Sequence, residues 1–263
     1  MTKRIRFSLN RNATPATPDS SPLARYGVIA GDVVDETEGP WSAAPIGQHA
    51  AADIRLLPPV WPSKIVCVGR NYVEHAKELG NAVPTEPLIF MKPLSSLIAH
   101  GDAIEYPKLS SLVSYEGEVG IVIGRAARNV PAEKWRDYVY GYTCVNDVTA
   151  RDLQKKDGQW TRGKGFDTFC PVGPHVVPKA EIEFDKLRVR TLLNGVVKQD
   201  APVTDMIFDP GAIIAFVTAF MTLEPGDLIA TGTPPGVGPL EVGSTVRVEI
   251  GGIGILENTV IQG

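Results

Sequence analysis

The sequence predicts an α+β, β-rich chain dominated by a folded-over sheet, and three observations predict it. Glycine and proline number 26 and 22 in 263 residues, a density that demands many turns and short strands. From Lys64 onward the apolar runs are short and repeatedly bounded by those turn formers. Helical periodicity is confined to a few brief stretches, too sparse to alternate with strands as a doubly wound sheet requires.

Composition narrows the class further. A chain that is 43% hydrophobic and 21% charged is not disordered. For 28.3 kDa, area scaling expects about 73% of the unfolded surface to be buried, enough for one large core and a small appendage. The formal charge of −4 gives no reason to expect nucleic acid or an anionic membrane as partner. Cys67, Cys144 and Cys170 are far apart and form no CxxC pair, so structural zinc and a disulfide framework are not expected. A reduced, cytoplasmic setting fits best. The longest apolar stretch, Gly211 to Leu223, is too short to span a bilayer.

Taken in order, residues 1–60 read as a small N-terminal β-rich unit and 61–263 as the main body. The basic start, Lys3 to Arg11, has the composition of a transit peptide, but Ile5, Phe7 and Leu9 alternate with Arg4, Arg6 and Ser8, and a strand at 4–9 is the better reading. Two apolar runs around Gly31-Asp32 suggest a hairpin. Pro58, Pro59 and Pro62 mark a linker. Strands are then expected at 64–69, 88–91, 118–123, 139–146, 187–193, 227–231 and 244–250. Asn71 is suited to cap a short helix ending at Leu79 and closed by Gly80. A second helix is expected near Val148. A third starts at Asp209-Pro210, where Ile213, Ile214, Phe216, Val217, Phe220 and Met221 leave little polar face and predict burial.

Several residue patterns carry chemistry. Glu116 and Glu118, two apart beside an apolar run, share a strand face and either bind a divalent cation or lie on a solvated edge. Asp147 follows the apolar run 139–145 and is either a third oxygen ligand or a helix cap. Three carboxylates without histidine or cysteine would select magnesium, manganese or calcium. Arg151 and Gln154 fall on one helix face with Asp147, where Arg151 either clamps a substrate carboxylate or pairs with Asp147. His75 and Glu78, at i and i+3, form a base and its orienter or a plain polar helix surface. Lys164 lies between glycines, which either let the backbone approach a ligand or make a flexible loop. Lys92 ends an apolar strand and needs a partner. His49, His100 and His175 read as structural. Thr231 to Gly238 is Gly/Thr-rich but lacks the ending of a phosphate loop.

Six segments resemble the fumarylacetoacetate hydrolase family, in family order across about 64–260. They are Val68-Gly-Arg-Asn-Tyr72 with His75-Ala-Lys-Glu78, Phe90-Met-Lys-Pro93, Tyr115-Glu-Gly-Glu118, Gly141 to Gln154, Lys164 to Pro171 and Leu223 to Gly238. The resemblance implies a mixed β-sandwich roll, a homodimer, and a Mg2+ or Mn2+ site on Glu116, Glu118 and Asp147. It implies His75 and Glu78 as a water-activating pair on a lid and Lys164 as the oxyanion cation. Lys92, Arg151, Gln154 and Thr233 would line the pocket for a small oxo-acid substrate. The expected reaction is hydrolysis of a C–C bond in a 2,4-dioxo acid such as an acylpyruvate, giving pyruvate and a carboxylic acid. The alternatives are oxaloacetate decarboxylation or tautomerisation, isomerisation of 2-hydroxyhepta-2,4-diene-1,7-dioate and, remotely, a non-enzymatic metal-binding scaffold.

Overall fold

The computed structural model describes residues 1–263. Its main sheet is built from β1 (Arg4–Ser8), β2 (Arg25–Ala30), β3 (Val33–Thr37), β4 (Pro45–Ala50), β5 (Ile65–Gly69), β6 (Leu88–Lys92), β7 (Gly117–Ile123), β8 (Val139–Asn146), β9 (Cys170–Pro178) and β10 (Leu228–Ala230). Their spatial order is β4-β3-β2-β1-β9-β8-β7-β10-β5-β6. All neighbours along this path are antiparallel except β10 and β5. The basic N-terminal segment is a strand, and β1 pairs with both β2 and β9, continuing the sheet.

A second, five-stranded sheet runs Val196–Pro202, Arg188–Leu193, Thr245–Ile250, Gly254–Gln262, Ala103–Tyr106. Its inward residues Val189, Val248, Ile250 and Leu256 join Val66, Val68, Val119, Ile121 and Ile123 of the main sheet in the largest core cluster. The alternate residues Ile65, Cys67, Val122, Val145 and Leu228 fill a second core on the opposite face. Burial on both faces explains why β5, β7 and β10 read as unbroken apolar runs rather than alternating ones.

Four helices decorate the sheets: α1 (Val73–Glu78), α2 (Arg151–Asp157), α3 (Thr161–Lys164) and α4 (Pro210–Phe220). Asp209 caps α4 by accepting from the Ala212 amide at 2.8 Å, and Ile213, Ile214 and Val217 are buried. Phe220, read as buried, is 55% exposed because it lies on the last turn, beyond the packed face. Asn71 does not cap α1. Its amide instead donates to the carbonyls of Phe208 and Thr231, and its Oδ1 accepts from the Phe208 amide, so it ties the helix start to two distant loops. At the other end Gly80, at φ +67, closes α1 as expected, with the Asn81 and Gly80 amides donating to the Ala76 and Lys77 carbonyls. The helix expected near Val148 begins at Arg151, after a two-residue strand at Thr149–Ala150. β9 escaped the sequence pattern because Pro171 and Pro174 interrupt it; the ladder to β8 shifts register between Tyr142 and Cys144. No helix is long and apolar enough to cross a membrane.

Candidate active site and metal centre

Glu118 sits within β7, its residue paired to Val145 of β8. Glu116 occupies the break between the short strand Val113–Tyr115 and β7, where the chain passes from a three-stranded sheet into the main one. Its amide donates to Asn146 Oδ1 at 2.9 Å, and its carbonyl accepts from the Asp147 amide at 2.8 Å. Asp147 therefore lies at a strand end, bonded main chain to main chain to Glu116. It caps nothing, since the residue preceding α2 is Ala150. Glu116, Glu118 and Asp147 are 4%, 1% and 1% exposed, and each offers an oxygen within 4.8 Å of the others.

Two lysines and an arginine hold this cluster. Lys164 Nζ donates to Glu116 Oε2 at 2.7 Å and Asp147 Oδ2 at 2.5 Å. Lys92 Nζ donates to Asp147 Oδ1 at 2.6 Å and the Val148 carbonyl at 3.1 Å. Arg151 bonds Glu116 Oε1 at 2.5 Å and Gln154 Oε1 at 2.8 Å, so its carboxylate partner is Glu116 and not Asp147. Burial opposes the charge of Glu116, yet Lys164, Arg151 and His75 together hold its carboxyl below the ordinary range. Lys164 shows the mirror image: burial disfavours its charge, and Asp147 and Glu116 more than offset that, holding the ammonium above its usual value.

Glu118 is the exception. Its carboxylate accepts one hydrogen bond, from the Gly232 amide at 2.8 Å, and forms no ion pair with a side chain. Burial, then the neighbouring Asp147 and Glu116, push its carboxyl well above the usual range. A buried acid repelled by two others is what a divalent cation relieves, and the all-oxygen donor set suits a hard ion. The residues fit such an ion.

His75 on α1 is 4% exposed. Its Nδ1 lies 3.4 Å from Glu78 Oε2, leaving Nε2 without a protein partner. Burial lowers its pKa below the ordinary value, with Glu116 and Glu78 opposing, so the ring is neutral near pH 7. Glu78 in turn accepts from the Gly236 amide at 3.1 and 3.2 Å, bracing α1 against the loop after β10.

One cavity of about 560 Å³ joins His75, Glu78, Glu116, Glu118, Asp147, Arg151, Gln154, Lys164 and Thr233. Thr233 donates to the Gly117 carbonyl at 2.9 Å and accepts from Gln199 at 2.7 Å. Lys92, expected on the pocket wall, is not there. Its side chain is fully buried behind Asp147, because a charge ending the apolar β6 finds its partner in that carboxylate. The glycines around Lys164 serve packing rather than ligand approach. A Cβ on Gly163 would meet the Gln154 backbone at 2.9 Å, and Lys164 ends a helix rather than riding a flexible loop. Arg70, Asn81, Lys155 and Trp160 also line the cavity. None carries a local spacing signal; Arg70 stands inside the Val68–Tyr72 segment, but nothing in that segment indicates where its side chain goes.

The profile of the fumarylacetoacetate hydrolase C-terminal domain matches residues 64–261. An oxaloacetate tautomerase of Xenopus laevis mitochondria is 43% identical over 233 residues, covering 84% of this chain and 73% of the relative. A mitochondrial oxaloacetate decarboxylase of Dictyostelium discoideum is 45% identical over 196 residues, covering 72% of this chain and 89% of the relative. The crystal structure of a 2-hydroxyhepta-2,4-diene-1,7-dioate isomerase from Mycobacterium marinum superposes with a TM-score of 0.86 at 42% identity, covering 100% of this chain and 99% of that one.

Proposed function

Because the chain belongs to the fumarylacetoacetate hydrolase family, we propose that it is a divalent-metal-dependent enzyme that interconverts the keto and enol forms of a 2-oxo acid, with oxaloacetate as substrate. The observation that carries this reading is a single cavity holding three buried carboxylates, one of them uncompensated, together with a neutral imidazole whose Nε2 is unpartnered.

A divalent ion on Glu116, Glu118 and Asp147 would supply Lewis acidity toward the carboxylate and 2-oxo oxygens of the substrate. His75 Nε2 takes a proton from C3. Glu78, across from Nδ1, orients the ring and balances the imidazolium charge. The proton then returns to the 2-oxo oxygen, giving the enol, and the reverse sequence restores the ketone. Lys164, donating to Glu116 and Asp147, brings a fixed cation to the wall where enolate charge develops. Arg151, spanning Glu116 and Gln154, presents further donors toward a substrate carboxylate.

The same base pair supports a second reading, hydrolysis of an acylpyruvate. There His75 would take its proton from water instead of C3, and the 560 Å³ cavity leaves room for the longer acid. An oxaloacetate reaction is favoured over hydrolysis because two relatives above 40% identity are an oxaloacetate tautomerase and an oxaloacetate decarboxylase. The test follows enol absorbance of oxaloacetate, pyruvate release from oxaloacetate, and pyruvate release from acetylpyruvate, each with magnesium and with EDTA. Metal-dependent enol–keto exchange without pyruvate is expected. Pyruvate from acetylpyruvate alone would move the assignment to hydrolysis, and metal-independent rates throughout would end both readings.

A further inference from the structure

The cavity wall carries four cationic side chains, Arg70, Arg151, Lys155 and Lys164. Lys164 is committed to Glu116 and Asp147, and Arg151 to Glu116 and Gln154. Lys155 is exposed at the rim. Arg70 is half-buried, yet no acid lies within ion-pair distance and its guanidinium donates no hydrogen bond to the protein.

What Arg70 does contact is Trp160, over whose ring its Cζ lies at 5.6 Å. Trp160 meets Phe90 edge-on with centroids 5.2 Å apart, and Lys164 Nζ lies 4.9 Å from the Phe90 centroid. A two-ring wall therefore runs from the lysine beside the acid cluster to the arginine at its other end. The wall is tightly seated, since a Cβ on Gly69 would stand 2.5 Å from Trp160. Arg70 also adopts φ +56, a conformation that costs a side-chain-bearing residue stability. An uncommitted guanidinium, stacked from behind and held in a costly backbone geometry, is arranged for a ligand rather than for the fold.

We propose that Arg70 binds a second carboxylate at the far end of the substrate, so that the site selects 2-oxo dicarboxylates over 2-oxo monocarboxylates of the same length. This rests on the enol-chemistry reading and adds its specificity element. A substrate whose first carboxylate and oxo group sit at the acid cluster extends along the Phe90–Trp160 wall. The cavity already holds Glu78, Glu116, Glu118 and Asp147, so a second negative charge needs a cation not already spoken for. The planar fork of Arg70 meets a carboxylate through two parallel hydrogen bonds.

The test uses malate and 2-hydroxybutyrate, an unreactive pair that differ in a carboxylate against a methyl group. Their affinities for the magnesium-loaded protein are measured by calorimetry in wild type, Arg70→Asn and Arg70→Lys, beside KM for oxaloacetate. Asn tolerates positive φ, so Arg70→Asn should melt no lower than wild type. Wild type should prefer malate. Arg70→Asn should weaken malate binding and raise the oxaloacetate KM by about ten- to a hundredfold, while 2-hydroxybutyrate shifts less than about twofold; Arg70→Lys should fall between. Equal losses for both acids, no loss for either, or no malate preference in wild type would overturn the proposal. Arg70-dependent malate preference in a protein that leaves oxaloacetate untouched would retain Arg70 and remove the enol reading.

Discussion

The two sides of the cavity are built by opposite means. The acid side is main-chain architecture: Glu118 lies inside an antiparallel ladder, Glu116 and Asp147 are bonded backbone to backbone, and all three are buried. The base side rests on α1, six residues long, with no side-chain cap at its start and with Glu78 about one-third exposed. A helix that short has little stability of its own. It is held by Asn71 at one end and by the Glu78–Gly236 contact near the other. The contrast teaches that, under the proposed function, ion affinity and proton transfer should be separable, because the carboxylates are placed by sheet register and the imidazole by a few tethers on a small helix.

Glu118→Gln should break the comparison most completely. Removing the one uncompensated carboxylate should weaken magnesium binding by more than about a hundredfold and abolish the magnesium-induced rise in melting temperature, while the metal-free variant melts no lower than wild type. A normal magnesium titration would show that Glu118 is not a ligand.

His75→Asn should cut kcat by about 10² to 10⁴ and leave magnesium affinity within about twofold, as calorimetry and steady-state kinetics would show together. A parallel loss of magnesium would mean that the two sides are not separable after all.

Gly232→Ala probes the link between them. Gly232 has φ +98, and an added Cβ would lie 2.6 Å from Asn71 Cβ. The change should cost on the order of 2 kcal/mol of stability and displace the amide that holds Glu118. Denaturant unfolding and a magnesium titration would register both effects, and an unchanged midpoint would contradict the packing.

The smallest effect is a shift in pH dependence. Burial lowers the His75 pKa, so a neutral ring should persist below the ordinary value of 6.5 and activity should fall only as pH drops through the lowered pKa. Glu78 opposes that lowering, so Glu78→Gln should move the acid limb of kcat to lower pH as well as reduce its plateau about tenfold. A limb that stays in place would show that Glu78 does not interact with the imidazole.

Much of the acid side was legible in the sequence. Glu116 and Glu118 flank a single glycine and Asp147 ends an apolar run, so local order alone put carboxylates at the end of buried strands. The need of Lys92 for a partner was equally readable, although its placement on the pocket wall was not upheld, because nothing local revealed that Asp147 would take it. The hairpin at Gly31-Asp32 and the Asp209 cap followed from turn and cap chemistry within a few residues. β9 was not legible, since its prolines mask a strand that only its partners sustain.

What the sequence by itself determined, then, is the β-rich fold class, Glu116 and Glu118 on one strand face, and His75 and Glu78 on one helix. These depend on residue type and on spacings of two to four positions, which backbone periodicity converts directly into shared faces. The tertiary structure decided what crosses long separations: Glu118 on the Gly232 amide, Asn71 on Phe208 and Thr231, Lys164 between Glu116 and Asp147, and Arg70 stacked on Trp160. Those partners are chosen by how the sheets pack, and residue spacing along the chain contains no measure of that.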